Sequence, residues 1–198
     1  MGTQVELELE NGFIQQLEGL GYERIFLRTE QALLDNLKTQ IQKLNQLLNP
    51  FSEQEWKQVW HYLSNETSVF GKAQLLRDRF PLKFDDGTVK HLRFLGETTT
   101  DNHYQVSNQI VSDHSALNGK TSRFDVTLLV NGLPLIQIEL KRRGVEIQQA
   151  FKQTIEYAKS AYKAGDGLFG YIQFFVISYG VNCLYYANGT KTIEFAFP

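Results

Sequence analysis

The stretch RFDVTLLVNGLPLIQIELKRRG, Arg123 to Gly144, sets two acids and a lysine inside an otherwise apolar run. The three are Asp125, Glu139 and Lys141. Carboxylates a few ångström apart repel, and one pKa rises unless a cation neutralises them. Oxygen donors of this kind suit a hard ion such as Mg²⁺, which keeps waters in its remaining positions. An ion so held polarises a phosphoryl oxygen and lowers the pKa of a bound water. Lys141 lies two residues beyond Glu139 and so points the same way along a strand. It can orient the attacking water or stabilise charge on a phosphate.

Whether the acids meet depends on the turn between them. Asn131-Gly132 is the strongest short hairpin signal. A strict two-residue loop pairs Val130 with Leu133 and throws Asp125 and Glu139 to opposite faces. An odd-length or bulged turn shifts the parity by one. Asp125 and Thr127 then share a face with Gln137, Glu139 and Lys141. Phe124, Val126, Leu128 and Val130 share the other with Pro134, Ile136, Ile138 and Leu140. Only the second arrangement sorts polar with polar, so the pattern predicts an odd or bulged turn. The bland alternative is a solvated sheet face, where Glu and Lys are common. The apolar setting of LPLIQIELK and a second polar stripe on the next helix weigh against it. That stripe is Gln149, Gln153 and Tyr157, spaced four apart. Gln153 and Tyr157 either reach a phosphate backbone or brace the carboxylates. Arg142 and Arg143 at the strand end are candidate contacts to DNA phosphates, against the commoner role of solvated charges.

The elements that must position these groups follow from periodicity. Leu9, Phe13, Ile14 and Leu17 make a helical stripe over residues 4–19, closed by GLGY. YERIFL is a short strand. Thr29 caps a helix with Leu33, Leu34, Leu37, Ile41, Leu44 and Leu48 at helical spacing, and Pro50 stops it. Ser52 caps another helix with a Trp-Trp-Leu stripe. SVFGKAQLLRDRFPLKF gives a short helix or turn, then a strand. NHYQVSNQIVS alternates as a strand, and DHSALNGKTS is a polar loop. VEIQQAFKQTIEYAKSAYKAG is an amphipathic helix with Ile147, Phe151, Ile155, Ala158 and Tyr162 inward. YIQFFVISYG and NCLYYANG are two final strands. The order predicts one mixed α/β domain over residues 1–198, with a helical insertion near residues 29–78.

Composition narrows the class. The chain has 198 residues, 42% of them hydrophobic, and a formal net charge of -2. That length buries a proper core, and the charge argues against autonomous binding to nucleic acid through bulk positive field. Cys183 is the only cysteine, so there is neither a disulfide framework nor a zinc knuckle. A reducing, cytoplasmic setting fits. The start, MGTQVELELENGF, lacks the basic and apolar regions of a signal peptide, and no window suits a membrane span. The apolar ending EFAFP hints that the chain continues.

With these residues assembled, the chain resembles the N-terminal nuclease domain of the motor (R) subunit of type I restriction-modification enzymes. The motif resembles that of the PD-(D/E)xK nucleases, although Phe124 stands where that name has proline. FDVTLLVNGLPLIQIELKRRG is close to the form this subunit takes. Gln153 to Tyr157 resembles its Gln-x-x-x-Tyr motif, and FVISYGVNCLYYAN its following strand pair. LENGFIQQLEGLGYE resembles its first helix, where Glu10 fits the family's first acidic position. The plain alternative for Glu10 is a solvated helix acid. The likeness is clearest over residues 123–188 and weakest over 50–100.

The resemblance implies a PD-(D/E)xK core, a mixed central sheet flanked by helices. It implies a type I site-specific deoxyribonuclease, with Mg²⁺-dependent cleavage of double-stranded DNA. Asp125, Glu139, Lys141 and Glu10 would be catalytic, Asp125 and Glu139 binding the metal. It also implies ATP-driven translocation by a C-terminal helicase-like motor, and methyltransferase (M) and specificity (S) partners. No Walker glycine loop is present here, so ATP would act only through other domains. Two other classes stay open. One is a nuclease-fold module that binds DNA or partner subunits without cutting. The other is a stand-alone structure-specific endonuclease, which calls for a basic surface that the net charge disfavours.

Overall fold

The computed structural model describes residues 2–114, 120–141, 148, 150–152, 154–155, 167–178 and 182–198. Helix α1 (Gly2–Gly19) leads into the short strand β1 (Glu23–Arg24). Three helices follow: α2 (Glu30–Leu44), α3 (Glu53–Ser64) and α4 (Val69–Arg77). Their starts are fixed locally. The Thr29 hydroxyl accepts from the Ala32 N–H, and Ser52 and Glu55 form a reciprocal capping box. These helices occupy the predicted helical region.

A small hairpin, β2 (Phe80–Lys83) and β3 (Val89–Leu92), comes next. Sequence periodicity gave only its first strand; Asp86-Gly87 is the turn signal it passed over. The main sheet continues with β4 (Tyr104–His114), β5 (Lys120–Val130), β6 (Leu133–Leu140), β7 (Phe174–Ser178) and β8 (Cys183–Ala187). Its order is β1-β4-β5-β6-β7-β8, with parallel β1–β4 and β6–β7 pairs and antiparallel pairs elsewhere. The chain is thus α/β, with a mixed six-stranded sheet flanked by helices. One expectation is corrected. The two ends of DHSALNGKTS, read as a polar loop, are strand, because β4 and β5 stay paired to His114 and Lys120, while residues 115–119 lie outside the described residues.

The sheet separates two apolar layers. Ile14 and Leu17 of α1 pack with Val106, Val126, Leu128 and Ile138 on one side. The larger cluster joins Leu33, Leu37 and Ile41 of α2 and Val59 and Leu63 of α3 to Leu129, Leu133 and Phe175. The described helical residues Ala150 and Phe151 belong to this second layer. No described helix is long and apolar enough to cross a membrane.

The β5–β6 turn is pinned against α2. Asn131 and Gly132 have φ of 50° and 81°, as a two-residue type I′ turn requires. The Asn131 amide donates to the Phe94 carbonyl and the Asn102 side chain. A Cβ on Gly132 would lie 2.7 Å from the Leu37 Cα. Gly132→Ala therefore meets both left-handed strain and backbone overlap. It should lower unfolding free energy by about 1–3 kcal/mol, read as a lower denaturant midpoint at unchanged slope. An unchanged midpoint would show that the turn is free to move off α2.

Candidate active site

The parity shift that brings the acids together is present, but not in the turn. Val130 pairs with Leu133 and Leu129 with Pro134, the strict two-residue register. The register then slips between Leu128 and Leu129, so Leu128 faces Ile136 and Thr127 faces Gln137. Leu135 is the extra residue of a bulge in β6, one of the devices that re-aim side chains beside functional sites. The Thr127 hydroxyl donates to the Gln137 side chain at 2.8 Å, and both residues are fully buried. The polar face is therefore interior, not a wet face.

The β5–β6 ladder stops at Val126–Ile138, while β6 stays paired to β7 through Glu139–Ile177 and Leu140–Ser178. Asp125 stands where the strands part. Its Oδ2 accepts the Leu140 N–H at 3.0 Å, taking the place of a strand carbonyl. Lys141 Nζ lies 3.2 Å from Glu139 Oε2. The structure thus brings Asp125, Glu139 and Lys141 to one place. Glu10, on α1, joins Asp125 and Lys141 around a cavity of about 320 Å³ whose wall also includes Gln109 and Arg123. Gln153, Tyr157, Arg142 and Arg143 lie outside the described residues.

Burial governs the electrostatics. Glu139 is 1% exposed. Desolvation, followed by the neighbouring Asp125 charge, pushes its pKa up to about 8, against the pull of Lys141. Its Oε1 is buried and accepts no hydrogen bond from the described residues. An unmade bond on a buried acceptor costs about 1–3 kcal/mol; the protonated carboxyl can hydrogen-bond Asp125, and the ionised one is open to a cation. Glu10 is also buried, and burial raises its pKa. Amide bonds from Asn108 and Gln109 and the Arg28 charge oppose that rise, while Asp125 adds to it. On the far side, the buried Tyr186 phenol bonds the Thr154 hydroxyl, and burial, chiefly, pushes its pKa to about 12.

The donor set fits a divalent cation in a limited form. Among the described residues, no three His, Cys, Asp or Glu side chains stand together as a ready metal cage. Asp125 and Glu139 are two hard donors, one with a buried oxygen that takes no hydrogen bond from the described residues. A small hard ion bound through one or two carboxylates, with water completing its shell, suits that arrangement. Such binding must displace the proton that Glu139 holds below about pH 8. Titration calorimetry with Mn²⁺ at pH 7, in two buffers of different ionisation heat, should therefore show close to one proton released per ion. The release should fade well above pH 8. Absence of release at pH 7 would mean that Glu139 is not a ligand.

Sequence reasoning missed Arg28, Asn108, Gln109 and Arg123. Asn108 carried a signal, since it interrupts the apolar alternation of Tyr104, Val106 and Ile110. Arg28 reaches the site only through the fold, its Nη1 donating to the Asn108 carbonyl at 2.7 Å.

Residues 3–193 match the family described as type I restriction enzyme R protein N terminus. Two curated relatives illustrate the likeness. The type I restriction enzyme SauMSSORF170P endonuclease subunit of Staphylococcus aureus (strain MSSA476) is 41% identical over 197 residues, covering 98% of this chain and 20% of that protein. The type I restriction enzyme EcoprrI endonuclease subunit of Escherichia coli is 37% identical over 199 residues, covering 98% of this chain and 62% of that protein. The chain spans about a fifth of the length of the first relative.

Proposed function

The chain belongs to the family of type I restriction enzyme R protein N termini, and from that premise we propose that it is the endonuclease domain of such an enzyme, cutting double-stranded DNA with Mg²⁺. The observation that carries this is the meeting of Asp125, Glu139 and Lys141 at the point where β5 and β6 part. That meeting supports a PD-(D/E)xK nuclease, the fold we assign. Site choice and movement along DNA belong to M and S subunits and to an ATP-driven motor elsewhere in the complete enzyme. A net charge of -2 accords with DNA being held largely by those parts.

Asp125 and Glu139 would hold the Mg²⁺, which when bound supplies charge neutralisation at the phosphate and an acidified water. The chain's own groups do the rest. Glu139 gives up its proton, and the Lys141 ammonium beside it stabilises the carboxylate. The same ammonium stands ready to orient the attacking water and to balance charge that develops on the phosphoryl oxygens. Leu140 N–H fixes the Asp125 carboxylate from the backbone, so its direction does not depend on a mobile side chain. Arg123, exposed at the cavity wall, offers a phosphate contact next to the scissile position. Gln153, Tyr157, Arg142 and Arg143 are proposed as further DNA or bracing contacts on sequence grounds alone. The test is plasmid cleavage by the complete enzyme carrying substitutions at the three central residues. Full activity in any of them would remove that residue from the site.

A further inference from the structure

Gln109 has no role in the preceding scheme, yet its backbone is unusual. Its φ is 57°, one of three positive values outside glycine among the described residues. Gln46 follows the end of α2 and Asn131 sits in a tight turn, whereas Gln109 lies inside the eleven-residue strand β4. A non-glycine residue there is strained and persists only where its surroundings enforce it.

Its place in the sheet is specific. Asn108 pairs with Val126 and Ile110 with Phe124, so Gln109 lies across from Asp125. The two strands change sides at this point. Val106 and Val126 pack in the layer with α1, while Ile110 and Phe124, in the same alternation, pack in the opposite layer. The kink also delivers a side chain. Gln109 Nε2 donates to Glu10 Oε2 at 2.7 Å, and the Asn108 amide donates to Glu10 Oε1. Both oxygens of one buried carboxylate are thus held by consecutive residues of β4, a grip that a regular strand cannot make because it sends neighbours to opposite faces.

We propose that Gln109 is a positioning residue: its left-handed kink and amide clamp the Glu10 carboxylate into the cavity beside Asp125. This rests on the nuclease reading of that cavity and names a residue on which the site depends. So clamped, Glu10 presents an acceptor of fixed direction to the cavity that Asp125 and Lys141 also line. Groups that orient a metal site in this manner typically contribute 10–100-fold to metal affinity or activity.

The test separates backbone from amide in the complete enzyme. Gln109→Gly permits the left-handed conformation and removes the amide. Gln109→Asn tolerates the same conformation but withdraws the amide by one methylene. Both should keep the melting temperature within a few degrees of wild type. Both should lower plasmid cleavage about 10–100-fold and weaken Mn²⁺ binding measured by calorimetry without DNA. Gln109→Glu, isosteric but lacking the donor, should lose at least as much. Wild-type cleavage and Mn²⁺ affinity in the glycine variant overturn the inference. If that variant does not fold, the same result in the asparagine variant overturns it. Asp125→Asn, run in parallel, separates the two levels. If it cuts normally, the nuclease reading of this cavity fails. If it is dead while the Gln109 variants are normal, only the clamp fails.

Discussion

In the complete enzyme, Asp125→Ala, Glu139→Ala and Lys141→Ala should each leave supercoiled plasmid essentially uncut while ATP hydrolysis continues. The first two substitutions remove donors for the cation, so charge on the reacting phosphate goes unneutralised. The third leaves the cation but removes the ammonium 3.2 Å from Glu139. Losing one electrostatic stabiliser of this sort slows chemistry about 10²–10³-fold, so slow nicking can survive in the lysine variant. The ATPase of the proposed motor should persist because these residues would lie outside it. Asp125→Ala also strips the Leu140 N–H of its acceptor, at about 1–3 kcal/mol, so a dead variant could be an unstable one. Asp125→Asn is the control. Its amide oxygen can still accept from Leu140, while the charge is gone. Cleavage by the asparagine variant at the wild-type rate would show that the charge of Asp125 is not needed, and the proposed metal site would fall with it.

The parity that brings Asp125 and Glu139 together was legible because β-strand side chains alternate strictly, so the polar and apolar sets admit only one relative shift. Where the shift is absorbed was not legible. Asn131-Gly132 satisfies a two-residue turn by itself, and the local mark of the bulge, Pro134 beside Leu135 in an interior strand, was passed over. The depth of the site was legible in part. The apolar setting of LPLIQIELK and the helix that follows argued against a wet face, and Thr127, Gln137 and Glu139 are indeed buried, with Ala150 and Phe151 in the apolar layer on that side. Glu10 could be placed by likeness alone. Its amide partners 98 and 99 residues away have no local signature beyond the break in alternation at Asn108. Helix caps at Thr29 and Ser52, by contrast, are local chemistry, and sequence located both.

Glu139→Gln should make the protein more stable at neutral and alkaline pH while abolishing cleavage. The folded carboxyl titrates near 8, against an ordinary 4.5, because burial and Asp125 disfavour its charge. A raised acid pKa means that the folded state holds the proton more tightly than the unfolded state does. Stability from this group is therefore fully present below about pH 4.5, falls as pH rises towards 8, and levels off above that. The rise from 4.5 to about 8 corresponds to on the order of 3–6 kcal/mol. Glutamine is neutral throughout and nearly isosteric, so the variant should lack this loss. Chemical denaturation of the metal-free protein at pH 5 and pH 9 is the measurement. The two proteins should be close at pH 5, and the variant should be ahead at pH 9. Saturating Mn²⁺ should narrow the gap by stabilising only the wild type. Equal pH slopes for the two proteins would place Glu139 in a polar, solvated setting and remove the electrostatic basis of the site. A gain in stability with loss of cutting would identify Glu139 as a residue kept in an unfavourable place for its chemistry.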